Sequence, residues 1–502
     1  MSDARATAST LWTRPRWLLA ALAAWLLVSL GWRPLMLPDE GRYVGVAYEM
    51  LRGDGLVPLL HGLPFFHKPP LMYWVDIAAM RLFGVSEFAG RVAPALGAWL
   101  MGLALLIELR PRVDARTLAV ALGVLATMPF FFLAGQYANH DMLVAGCISL
   151  SIASATRALS QAGRARLGWL LLAWSSAAFA VLAKGLIGVV LPGLVLLPWL
   201  LAQRRWRDLL ALLHPLALLL FALIALPWFF AMQARYPAFF DYFVLEQHFR
   251  RYATTGFNNA QPFWFFFVAV PLATLPWSLW LPVALRRAWA ARASAAAPVG
   301  LYAWWAFAVL LFFSAPQSKL IGYVLPAVVP LAALLSLAIA PGRAWRWRWL
   351  LPVVAAACLA VVGALAVKAP HSHRDIGLAL RAQLQPGDRV VLVEGAFYDL
   401  PFYARLTAPP LLLSDWDDPD IPRRDNWRKE IFDAARFDPQ GARDRLWRPA
   451  QAAGLLCHDG AVWFVAALDW QPPAALGSLS TVLRGREAQL LRAQGLGHAN
   501  CP

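Results

Sequence analysis

Charge is what this chain has least of. Only 15% of its 502 residues are Asp, Glu, Lys or Arg, and only 29 are acidic. A soluble domain carries roughly a quarter charged residues, so the shortage excludes an ordinary soluble globular protein. Lysine is scarcer still, with Lys68, Lys184, Lys319, Lys368 and Lys429 set against forty arginines. There are four cysteines. Cys147 and Cys358 fall in apolar runs, whereas Cys457 and Cys501 fall near the C-terminus. Neither Cys nor His recurs at the spacing of a structural zinc site. A Cys457–Cys501 disulfide suits an oxidising compartment, though sequence alone does not establish proximity. No internal repeat appears, and the only biased tract is the Ala-rich stretch 290–297.

Apolar residues fill the gap. They make up 60% of the chain, the mean hydropathy is +0.54, and runs long enough to cross ~30 Å of hydrocarbon recur from residue 17 to 367. We place spans at 17–35, 88–108, 117–134, 142–158, 168–183, 186–202, 209–230, 263–285, 299–315, 320–339 and 350–367. The net charge of +16 does not mark a nucleic-acid binder. The arginines cluster in short loops after every second span (Arg110, Arg112 and Arg116; Arg204, Arg205 and Arg207; Arg343, Arg346 and Arg348). Such loops stay cytoplasmic, so these clusters set orientation. Arg5, Arg14 and Arg16 hold the N-terminus inside, and with no small-x-small site before Arg33-Pro34 the first run reads as an uncleaved anchor.

An odd number of spans puts the C-terminal region outside. The expected fold class is mainly α: a polytopic helical domain over 1–369 with outer loops 36–87 and 231–262, followed by an α/β domain over 370–502. In that tail Arg389–Gly395, Pro410–Ser414 and Ala461–Leu468 read as strands and Arg428–Arg436 as a helix.

The polar residues beside the spans concentrate on the outer side. Asp39-Glu40-Gly41-Arg42-Tyr43 follows the first span. It offers a carboxylate able to accept a proton and a guanidinium able to hold phosphate; as plain helix-start chemistry, Asp39 is the N-cap and Glu40 lies in the first turn. In Phe65-Phe66-His67-Lys68-Pro69-Pro70 the prolines forbid a continuous helix and present His67 and Lys68 on a stiff loop. All five lysines fall on the outer side, in a chain whose default cation is Arg. Lys68, Lys184 and Lys319 together make a cationic bowl suited to a lipid phosphate. Asp141 stands where the fourth span starts, complementing its dipole, and Glu246-Gln247-His248 through Arg251 reads as a surface helix. His67 and His248 are the candidate metal ligands.

These boxes together resemble the bacterial protein O-mannosyltransferase superfamily, membrane glycosyltransferases of the GT-C fold, and within it the lipid A aminoarabinose transferases. The resemblance rests on Asp39-Glu40-x-Arg42-Tyr43, His67-Lys68-Pro69-Pro70, Ala183-Lys184-Gly185, Glu246-Gln247-His248, Lys319-Leu320-x-x-Tyr323 and Asp399-Leu400-Pro401-Phe402-Tyr403. It implies 11–13 spans in the bacterial inner membrane and inverting transfer from an undecaprenyl-phosphate-linked sugar, 4-amino-4-deoxy-L-arabinose or a hexose. The implied acceptor is lipid A, another glycolipid or a protein. It implies Asp39 and Asp141 as catalytic residues and Arg42, Tyr43, Lys68, Lys184 and Arg251 as donor-phosphate ligands. A divalent metal is implied at His248 with the residue before the Lys-Pro, an acidic position that here is His67. No organic cofactor is expected. The rival class is a flippase for an anionic polyprenyl lipid, but flippases keep their ionisable residues near the midplane, whereas here they sit at one face.

Overall fold

The computed structural model describes residues 15–250, 259–290, 299–339 and 349–497, with the side chains of 248–250 left aside. All eleven apolar segments are helical, but not all are single rods. Helix α1 (Pro15–Leu27) is followed by α2 (Asp39–Arg52), the short hairpin β1–β2 (Leu59–Leu60, Leu63–Pro64) and α3 (Leu71–Phe83). Next come α4 (Val92–Leu109), α5 (Ala115–Thr127), α6 (Pro129–Gly135), α7 (His140–Ala158), α8 (Gly163–Lys184), α9 (Ile187–Ala202), α10 (Trp206–Leu212) and α11 (Pro215–Arg235). After a π-helical segment, Asp241–Arg250, follow α12 (Phe265–Ala273), α13 (Leu281–Ala290), α14 (Val299–Ser314), α15 (Val328–Ile339) and α16 (Leu350–Lys368).

Four expected spans are corrected: 17–35 is helical only through Leu27, 209–230 is interrupted between Leu212 and Pro215, and two others bend sharply. The segment 117–134 breaks into α5 and α6 with a 62° bend. Met128 precedes Pro129 and is forced out of the helical region to φ −62°, ψ 120°. The segment 263–285 turns by 112° between α12 and the helical stretch Trp277–Ala290, where Pro271 and Pro276 remove backbone donors. Among the described residues, five helices are able by length and composition to cross a membrane, or up to seven with each bent pair as one span; α1, α9 and α14 are shorter apolar helices. On α11, Leu216, Leu219, Leu223, Leu226 and Phe230 are all exposed. Their i, i+3/i+4 spacing makes one stripe that belongs against lipid.

Helix α7 is the opposite case, buried along nearly its whole length. It crosses α4 at glycine: a Cβ on Gly97 would lie 2.3 Å from the Met142 carbonyl oxygen, and one on Gly146 would lie 2.3 Å from that of Gly97. The two backbones touch because neither carries a side chain there. This contact fixes the N-terminus of α7, where Asn139, His140 and Asp141 stand.

The C-terminal part holds α17 (Arg374–Gln383), α18 (Leu400–Ala404), α19 (Trp427–Ala435), α20 (Pro439–Arg445) and a six-stranded sheet. Its strands are β3 (Arg389–Val393), β4 (Leu411–Leu413), β5 (Leu446–Trp447), β6 (Ala461–Ala467), β7 (Ser480–Arg484) and β8 (Ala488–Gln494), in the order β5-β4-β3-β6-β8-β7. The first four are parallel; β8 and β7 add antiparallel. The three strands and the helix read from the sequence are present. Helices α17, α18 and α20 and strands β5, β7 and β8 are additions.

This sheet domain sits on α2. A Cβ on Gly45 would come within 2.7 Å of the Tyr398 carbonyl oxygen, and one on Gly41 within 3.0 Å of Asp399. The Tyr403 hydroxyl accepts from the Leu35 amide at 2.7 Å. Cys457 is disulfide-bonded; Cys501 lies outside the described residues, and Cys147 and Cys358 are free.

Candidate active site

The first helical turn of α2 holds two adjacent carboxylates with opposite fates. Pro38 caps the helix, so Asp39 is its first residue and not its N-cap. Glu40 turns inward and is fully buried. Arg91 donates to it at 2.8 and 3.1 Å, Arg33 pairs with it through both guanidinium nitrogens, and the Met36 and Ala138 amides each donate at 2.9 Å. Burial alone would raise its pKa, but the Arg91 and Arg33 guanidiniums overturn that and hold it at about 2. Glu40 is therefore a structural hub.

Asp39 turns the other way. Arg42 donates to its Oδ1 at 2.6 Å, the Asn139 amide donates to its Oδ2 at 2.9 Å, and it faces a cavity of about 760 Å³. The same cavity is lined by Arg42, Tyr43, His67, Lys68, Asp141 and Lys184. Residues from three connections, far apart in sequence, thus share one chamber. Arg251 lies outside the described residues, and of His248 only the backbone, in the π-helical segment, is described.

The cations are less available than a phosphate bowl implies. Arg42 is clamped between Asp39 and Glu430 of α19 and lies over the Tyr43 ring, 4.8 Å from its centroid. Lys184 pairs with Asp141, and its ammonium stands 4.3 Å from the Tyr323 ring centroid. A Cβ on Gly322 would come within 2.3 Å of Asp141 Oδ2, so glycine is what lets this turn close on the carboxylate. Lys319 does not line the cavity; it is 4% exposed and donates to the Gln261 carbonyl at 2.9 Å. Lys68 lines the wall between these groups.

The sheet domain forms the facing wall with Glu394, Tyr398, Lys429, Glu430 and Asp433, none of which the sequence reading placed here. Glu430 also accepts from the Tyr398 hydroxyl at 2.6 Å. His373 lines the edge. Burial works against its protonated form, but Asp399, 2.9 Å from Nδ1, outweighs this and raises its pKa. Tyr323 stood inside a box quoted above and Asn139 two residues before Asp141, so local sequence held a signal near both. No local pattern marks Glu430, whose partner is 388 residues away.

Of the two implied metal ligands, the His248 side chain lies outside those described. His67 packs against Phe65 and Tyr242, with ring centroids 4.4 and 5.9 Å away. Among the described residues no three His, Cys, Asp or Glu side chains group to hold an ion. We derive no step through a metal.

The chamber combines a gripped carboxylate, several cations and apolar helices beside it. That set is able to hold an anionic leaving group and orient a nucleophile. Residues 18–243 match the family described as dolichyl-phosphate-mannose-protein mannosyltransferase. The chain is 38% identical over 324 residues to an undecaprenyl phosphate-alpha-4-amino-4-deoxy-L-arabinose arabinosyl transferase of Pseudomonas aeruginosa, covering 63% of this chain and 58% of that protein. To the enzyme of the same name from Aeromonas salmonicida it is 34% identical over 357 residues, 69% and 65% of the two lengths. The chain therefore spans about three fifths of the length of the curated relatives it matches. A crystal structure of ArnT from Cupriavidus metallidurans bound to undecaprenyl phosphate superposes with a TM-score of 0.81 at 26% identity, covering 95% of this chain and 97% of that one. Family domain, sequence relatives and fold point the same way, and the chain has the GT-C membrane fold of the ArnT structure.

Proposed function

We propose that this chain is an inverting glycosyltransferase. It takes a sugar, 4-amino-4-deoxy-L-arabinose or a hexose, from an undecaprenyl-phosphate-linked donor and passes it to lipid A or another envelope acceptor. The observation that carries the reading is Asp39 open to one chamber with Arg42, Lys68 and Lys184. The fold shared with a protein crystallised with undecaprenyl phosphate supports it.

In the reaction, the bond between the anomeric carbon and the phosphate oxygen breaks, and its electron pair goes to the phosphate. Lys68, Lys184 and Arg42 offset the growing negative charge, a term usually large in such sites. The acceptor oxygen forms the new bond from the opposite face, which inverts the carbon. A hydroxyl acceptor gives its proton to Asp39; a phosphate acceptor has none to give and is only oriented. Asp141 keeps the Lys184 ammonium in place.

We place the chamber on the periplasmic face of the inner membrane. The arginine-rich loops at the opposite ends of the spans support this, as does the disulfide at Cys457, since disulfides persist in oxidising compartments. The test is reconstitution of the purified chain in proteoliposomes with a polyprenyl-phosphate-linked sugar. A transferase releases carrier phosphate in step with glycosylated acceptor. Movement of intact donor between leaflets without carrier release would identify a flippase and end the proposal.

A further inference from the structure

Three residues at the start of α7 each bind a different part of the chamber. His140 Nδ1 lies 2.9 Å from the Ala183 carbonyl, next to Lys184. Asp141 pairs with Lys184. Asn139 reaches the third part, Asp39, and nothing else described so far accounts for it.

Both ends of the Asn139 amide are chemically fixed. Its Nδ2 is 2.9 Å from Asp39 Oδ2, an oxygen of the carboxylate whose Oδ1 is ion-paired with Arg42 and which therefore accepts. Its Oδ1 is 2.9 Å from the Asp141 backbone amide, which only donates. A flipped side chain would put donor against donor and acceptor against acceptor. The backbone leading to it is equally constrained: Ala138 donates to Glu40 at 2.9 Å, and the Gln136 carbonyl accepts from Arg33 at 2.7 Å. The buried Glu40 hub thus anchors residues 136–138, and Asn139 passes that rigidity to the neighbouring Asp39. With Arg42 on Oδ1 and Asn139 on Oδ2, the carboxylate is gripped at both oxygens.

We propose that Asn139 is a positioning residue, whose side-chain amide holds the Asp39 carboxylate in the orientation that faces the reacting acceptor. This rests on the transferase reading, in which Asp39 acts on the acceptor. A purely structural role as the α7 N-cap is the alternative, and the two separate cleanly by substitution. Serine caps helices about as well as asparagine but is too short to reach Asp39. Aspartate also caps well, but sets a second carboxylate against Asp39 and disfavours its charged form.

The experiment measures transfer kinetics, pH profiles and thermal midpoints of the full chain in proteoliposomes for N139S, N139D, D39N and D39N/N139S. N139S should lower kcat about tenfold, with donor KM within about twofold and an unchanged midpoint. N139D should move the acid limb of the kcat profile up by about one pH unit. The double variant should be no slower than D39N alone, because Asn139 acts through Asp39. Wild-type kcat in N139S, or an unmoved acid limb in N139D, with D39N inactive, would overturn this inference alone. Wild-type turnover in D39N would instead overturn the reading of the site on which it rests.

Discussion

Replacing Glu40 by Gln isolates the structural half of the Asp39-Glu40 pair. Glu40 is fully buried and balances Arg33, 4% exposed, and Arg91, fully buried. Two routes give the cost. Removing one partner of a buried ion pair strands the other charge, typically for about 3–5 kcal/mol. Independently, the Glu40 carboxyl sits at about 2 against an ordinary 4.5, which at ~1.36 kcal/mol per unit is ~3 kcal/mol at neutral pH. With an unfolding entropy of about 2.1 cal/mol/K per residue, a chain of this length should lose about 3 °C of thermal midpoint in detergent. The pH dependence has a definite sign. Because the folded-state pKa lies below the unfolded one, the contribution is whole above pH ~4.5 and fades as pH falls toward 2. The wild-type advantage over E40Q should therefore be flat from pH 8 to 5 and shrink between pH 4.5 and 3. Circular dichroism melts of both proteins across this range measure it. An E40Q midpoint within 1 °C of wild type, or an advantage that grows on acidification, would refute the reasoning.

Other substitutions probe the chamber. Lys184→Ala leaves Asp141 without its ion-pair partner and removes a phosphate cation; transfer should fall about 100-fold, read as kcat in proteoliposomes. Gly322→Ala puts a methyl group where Asp141 Oδ2 stands, so turnover should drop although the protein still inserts in the membrane; full turnover would mean the turn has room. Glu430→Gln frees Arg42 from one of its two carboxylates. Titration with undecaprenyl phosphate should then show about fivefold tighter binding, as expected for ~1 kcal/mol of lost competition.

The helical, apolar character of the chain was legible because lipid makes hydropathy a reliable signal. Asp39, Lys68, Asp141 and Lys184, singled out as polar residues beside apolar runs, do share a chamber. The bends at Pro129 and Pro276 were hidden, since hydropathy averages over a proline that backbone geometry does not. The charge pairing was hidden for another reason. Arg42 read as a phosphate ligand, yet a carboxylate from the far end of the chain occupies it. A local pattern reports which groups lie near the membrane rim, not which of them neutralise one another. Asn139 shows the middle case: it stands two residues before Asp141, which was singled out, but its bond to Asp39 depends on α7 meeting α4 at two glycines.

The most direct measurement concerns Asp39 itself. Its side chain is 25% exposed and Arg42 keeps its second carboxylate, Glu430, so D39N should retain its thermal midpoint within about 1 °C. Turnover of polyprenyl-phosphate-linked sugar by D39N in proteoliposomes should nonetheless fall to background. A well-folded D39N that transfers sugar at the wild-type rate would contradict the account.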